Sequence, residues 1–250
     1  MVIILFVIPL VAVVALYVLD IFLPMELIST LTGSVPFIAA LSVLVLAAIL
    51  VAAYRRKDNP LLMSAWLFLL CGVIILSLAA LVDPFISGSE SWTEELLSAA
   101  SFFPLLLFAT FIASPVRLLI LPRRQRILYL VAGIVVFLGV CALVVLPWLL
   151  VYEGPRLHAS TKHLLRLVKP ILDTILAEPI AVLVLVIGLA GGGEPYVFIG
   201  FGLLLLVPED VLDHFQLLRE LDPHNLFSNL ISIASRLYLL IGALLGAFKR

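Results

Sequence analysis

The sequence predicts an all-α, polytopic helical membrane bundle of about eight transmembrane helices, and three observations carry that expectation. Of 250 residues, 64% are apolar and 12% charged, with a mean hydropathy of +1.28. Most of the charge gathers in short breaks between long apolar runs. Those runs approach the length of about 20 residues that crosses a hydrocarbon core about 30 Å thick, and a helix does so with every backbone group paired. No stretch is polar enough for a soluble domain beside the membrane part, so residues 1–250 read as a single membrane domain.

The apolar runs are divided by polar or Pro/Gly breaks. The first, 2–23, lacks the positive n-region and small-residue cleavage site of a signal peptide, and is expected to be a retained span. The second, 36–54, ends at Arg55, Arg56 and Lys57, and the third, 61–82, runs from Asn59-Pro60 to Asp83-Pro84. The fourth, 95–115, follows Ser91 and Glu94, whose spacing is that of a capping box and leaves DPFISGSE as a loop. The fifth, 127–152, carries Gly133 and Gly139. The sixth, 168–190, contains Pro170 and Pro179 and gives way to Gly191, Gly192 and Gly193, a flexible lead-in to the next run.

The seventh run, 196–214, is short: Tyr196 to Val207 spans only about 18 Å at 1.5 Å per residue. Two courses stay open. The helix continues through Pro208, Glu209 and Asp210, carrying acids into the outer bilayer, or it is re-entrant and the count falls to seven with the C-terminus outside. The eighth, 226–248, holds Gly242 and Gly246, whose spacing permits close helix approach within the bundle or between copies.

Orientation follows from Lys and Arg in short loops. Arg55, Arg56 and Lys57, then Arg117, Arg123, Arg124 and Arg126, then Lys249 and Arg250 all fall on one side if eight helices alternate. Both termini are then cytoplasmic, in the cell membrane. The loop with Arg156, Lys162, Arg166 and Lys169 dissents, one cluster against three. Pro36, Asn59-Pro60 and Asp83-Pro84 are spaced much as Pro170, Glu194-Pro195 and Asp222-Pro223 are. This fits a parallel four-plus-four repeat with halves 1–125 and 126–250; chance clustering of prolines at helix ends is the alternative.

Arg236, Asp173 and Glu178 are the ionisable residues set within apolar runs. A charge at mid-bilayer costs about 2.5 to 3.5 kcal/mol on insertion scales, so it faces the bundle interior and pairs. Arg236 and Glu178 each lie about ten residues into spans of the same direction, which makes Glu178 the preferred partner and Asp173 the alternative. Either this is a buried ion pair that fixes helix register, or it opens into a polar pocket joined by Glu209 and Asp210. Pro179 loosens the helix beside Glu178 in both cases.

No catalytic residue, metal site or cofactor is expected. Cys71 and Cys141 lie within apolar runs without a metal-binding spacing, and His158, His163, His214 and His224 fall in loops or at a helix end. HExxH, a nucleophile elbow and an Asp-rich diphosphate motif are all lacking. A net charge of −1 carries no basic stripe for nucleic acid.

From Lys169 onward, KPILD, a Gly-rich break, LLLLVPEDVLDHF and LFSNLISIASRLYLLIGALLGA resemble the last three helices of multi-helix membrane input regions in prokaryotic sensor proteins. Those regions open on aromatic-Pro-x-x-Asp and carry an Asp late in the next helix. Pro170 and Asp173 match the opening, with Lys169 in the aromatic's place, and Asp210 corresponds to the later Asp. The resemblance, over about a third of the chain, implies a sensory module whose output comes from elsewhere.

The expected function is a non-catalytic accessory or sensory subunit of a membrane complex. Its partners would be membrane lipids and other membrane subunits or a second copy. The alternative is a small transporter with its polar site at the outer half of spans six to eight. An intramembrane enzyme ranks last, because no motif supports it.

Overall fold

The computed structural model describes residues 7, 9, 11, 12, 14, 15, 35–86, 92–112, 179–189, 193–214 and 226–248. All of these are helical except the turn 56–59 and Gly193. Five complete helices are α1 (Val35–Arg55), α2 (Pro60–Ile86), α3 (Trp92–Ile112), α4 (Glu194–His214) and α5 (Leu226–Phe248). Residues 179–189 are also helical, with a π turn at 188–189. Much of the first expected span, all of the fifth, and the opening of the sixth with Pro170 lie outside the described residues.

Local chemistry sets the ends. The chain leaves α1 through Arg56 N donating to Ala53 O at 3.0 Å and Lys57 N to Tyr54 O at 3.2 Å, bonds that tighten a last turn whose carbonyls lack ordinary partners. Asn59 then caps α2: its side-chain oxygen accepts from Leu62 N at 3.2 Å. Pro60 occupies the first helical position, where a missing N–H costs nothing. α2 runs past the expected stop at 82, through Asp83 and Pro84 to Ile86, because proline's φ is itself helical and only one carbonyl a turn earlier loses its donor. α3 begins at Trp92, the start that the capping-box spacing of Ser91 and Glu94 leads one to expect. α4 continues unbroken through Pro208, Glu209 and Asp210 to His214.

The helices neighbour one another as α3–α2–α1–α5–α4. The short 56–59 turn makes α1 and α2 antiparallel. Ser42 of α1 and Arg56, directly after that helix, meet Arg236 and Gly246 of α5 respectively, so those two helices run parallel. Gly202 lies against Ser235 and Leu239, and Gly242 against Pro195 and Ile199, which sets α4 antiparallel to α5. Gly188 against Val197 and Gly200 against Leu185 give segment 179–189 the direction of α1 and α5. The row curls at one end, where Tyr196 at the start of α4 reaches Trp66 of α2 and Phe108 of α3, with ring centroids 6.2 and 6.3 Å away.

Small and hydroxyl side chains share the interior with large ones such as Trp66, Phe108, Ile49 and Leu69, and the outside is apolar. Ala52, Ala65, Ala181, Ala243, Ser101 and Ser235 are buried, while Val43, Leu44, Leu50, Leu61, Phe103 and Leu106 are exposed. Among the described residues, three helices, Phe37–Arg55, Pro60–Leu78 and Asn229–Phe248, are long and apolar enough to cross a membrane. Of these, Asn229–Phe248 is 61% buried, against 33% and 28% for the others, so α5 is the central helix. In lipid, helices gain little from burying apolar area against each other; close packing and interhelical hydrogen bonds hold them.

Candidate functional site

Arg236 lies near the middle of α5, on the side that faces α1. At 100° per residue, Ser232 sits one turn earlier on the same face. The guanidinium Nε donates to Ser42 Oγ of α1 at 3.3 Å, and Nη1 donates to the Ser232 carbonyl at 3.1 Å and to Ser232 Oγ. Ser42 and Ser232 are buried, and Arg236 is partly buried. These acceptors are neutral oxygens, and Arg236 makes further contacts besides them. The site is thus a fixed cation held in a hydroxyl cradle between two helices, suited to meeting a carboxylate or another anionic group.

A second polar seam lies on the α4 side of the same helix. Ser235 Oγ donates to Gly202 O at 2.8 Å, fully buried. The contact needs glycine, because a Cβ on Gly202 would fall 2.9 Å from both Ser235 O and a Leu239 carbon. Tyr238, also buried, packs edge-on to Phe201 with centroids 4.9 Å apart.

At the far end of α5, Arg56 Nη2 donates to Gly246 O at 3.4 Å, placing a cation on the carbonyl end of the helix dipole. Gly246 rests on the Trp66 indole, whose six-membered ring occupies the space a Cβ would need. Trp66 is buried and its Nε1 has no hydrogen-bond partner among the described residues.

The sequence-predicted residues distribute as follows. Arg236 is in the cradle; Asp173, Glu178, Gly191 and Gly192 lie outside the described residues. Pro179 lies in the helical segment 179–189 and is exposed. Gly193 has φ of +116° and precedes α4, a conformation that disfavours any residue with a Cβ. Glu209 and Asp210 belong to α4 by backbone. The α4–α5 register puts them near the level of Leu230, roughly 9 Å along the axis from Arg236 at 1.5 Å per residue. Gly242 and Gly246 face α4 and α2, within the bundle.

Sequence reasoning missed Ser42, Ser232 and Ser235. Two signals were present: Ser232 and Arg236 are one helical turn apart, and Ser42 is the lone Ser or Thr in Val35–Arg55. Among the described residues, no group of three or more His, Cys, Asp or Glu could hold a metal ion. No protein-family model matches this chain, and no curated protein or solved structure matches it.

Proposed function

We propose that this chain is a non-catalytic, multi-pass membrane protein that serves as an accessory or sensory subunit of a membrane complex. The observation that carries this reading is where the interior polar groups point. Arg236, Ser235 and Arg56 each bond across a helix–helix seam, to Ser42, Gly202 and Gly246. Such bonds fix the register of helices and supply no nucleophile–base pair.

The membrane setting is supported by the apolar exterior and by charge. The three basic clusters follow the ends of α1, α3 and α5 in sequence. Trp66 on Phe108 and Gly72 on Leu105 set α2 and α3 antiparallel, and with the parallel packing of α1 and α5 this gathers those three ends at one end of the bundle. Positive-inside bias makes that end cytoplasmic. An eight-span chain with cytoplasmic termini in the cell membrane accommodates this. The test is gentle detergent extraction followed by size and composition analysis. A stoichiometric partner or a defined oligomer is expected; a strictly lone monomer across mild detergents would sink the reading.

The transporter reading keeps one specific observation in its favour. A π turn at 188–189 and the left-handed, non-helical Gly193 interrupt the helical path into α4, and interrupted helices often line substrate sites. Reconstituted flux that falls in Arg236→Ala and Glu178→Gln would favour it. Flux that is absent, or indifferent to both changes, removes it.

A further inference from the structure

The outward face of α1 is an unbroken apolar ridge with a basic end. Phe37, Val43, Leu44, Leu50, Val51 and Tyr54 are all exposed, and with the exposed Ala40 and Ala47 between them no gap on this face exceeds three residues. The ridge is about 25 Å long at 1.5 Å per residue. At its end stand three consecutive bases with different duties. Arg56 turns inward onto the Gly246 carbonyl, while Arg55 and Lys57 on either side of it are exposed. The Lys57 ammonium lies 5.3 Å from the centroid of the Tyr54 ring, and that ring is 66% exposed. Asp58 is the neighbouring acid, also exposed, and leaves the turn net positive.

We propose that the α1–α2 turn and the α1 ridge bind an anionic phospholipid, Arg55 and Lys57 holding its phosphate beside Tyr54 and an acyl chain lying along Val51, Leu50 and Leu44. The inference rests on the membrane reading above and adds a preferred lipid class and a place for it. The order of groups argues for a lipid: a cationic pair, an amphipathic ring that suits the interface, then aliphatic surface running toward the bilayer centre. A free anion would use the bases and leave the ridge bare. An acidic peptide would do the same. The exposed bases act on an anionic headgroup over the short range of a Debye length.

The test uses the full chain in detergent, titrated with phosphatidylglycerol or phosphatidylcholine and read by native mass spectrometry for retained lipid. Phosphatidylglycerol should be retained preferentially. Arg55→Gln with Lys57→Gln should weaken that retention by about twenty-five-fold, at roughly fivefold per basic residue, with phosphatidylcholine unchanged. Tyr54→Ala should weaken both lipids. Equal retention of the two lipids by the unaltered chain, or no effect of the double change, would overturn the site. Displacement of the lipid by millimolar inorganic phosphate would replace a lipid site with a simple anion site. A chain that stays soluble without detergent would instead overturn the membrane reading itself.

Discussion

Gly242 and Gly246 both sit where another helix leaves no room for a Cβ, but what blocks them differs, and so should the consequences of substitution. A Cβ on Gly242 would lie 2.8 Å from the Pro195 carbonyl oxygen, 3.0 Å from Ile199 N and 2.7 Å from Ile199 Cγ1. Ordinary contact begins near 3.4 Å, so Gly242→Ala forces α4 and α5 apart by roughly half an ångström over their contact. Overpacking of that kind costs about 1 to 3 kcal/mol, set against a helix-propensity gain of up to about 1 kcal/mol for alanine over glycine. A net loss of about 1 to 2 kcal/mol is expected. Two of its three obstacles are backbone atoms, so trimming Ile199 to Ala should not restore stability.

At Gly246 the obstacle is a side chain, the Trp66 ring. Trp66 cannot slide away, because Phe108 and Tyr196 flank it with centroids 6.4 and 6.2 Å off. Gly246→Ala should therefore destabilise by a similar amount, but Trp66→Leu should absorb most of that cost in the double variant. Unfolding in mixed micelles, followed by far-UV circular dichroism, measures both cycles. If Gly242→Ala is neutral or stabilising, or is rescued by Ile199→Ala, the close approach of α4 and α5 is not as described.

Ser235→Ala removes the Oγ bond to Gly202 O and should cost about 0.6 kcal/mol and at most about 1.7 in the same assay; no change would mean the hydroxyl finds an equal partner elsewhere. Asn59→Ala removes the cap on α2 and should cost about 1 kcal/mol, with faster amide hydrogen exchange at Leu62 as the local signature. Trp66→Phe deletes a buried donor that has no acceptor among the described residues, relieving about 1 to 3 kcal/mol of desolvation cost against the lost ring contacts. It should therefore destabilise far less than Trp66→Ala, and equal losses would show that the N–H carries no penalty.

The extent of the helices was largely legible, because a run's length and its polar ends are local properties. Leu226–Phe248 is bounded by the same residues in sequence and structure, and α1 differs by one residue at each end. The misjudged end of α2 has a physical cause. Pro84 reads as a break, yet α2 runs through it; a proline removes one donor, and a helix tolerates that where neighbouring helices hold it. The basic turn after α1 was also legible as charge, but its division of labour was not, since only the packing of α5 turns Arg56 inward and leaves Arg55 and Lys57 outside.

By itself the sequence determined that this chain is helical and rich enough in apolar runs for a membrane, that Arg236 is an outlier in such a run, and that glycines offer close approach. Composition and periodicity decide those things because each is read from a single helix. Tertiary structure alone decided that Arg236 reaches Ser42 across α1 and α5, that Gly242 faces Ile199 and Gly246 faces Trp66, and that α5 is central. Neighbour identity depends on crossing and register between segments far apart in the chain, and helices that are apolar all round carry no amphipathic stripe to announce which face will be covered.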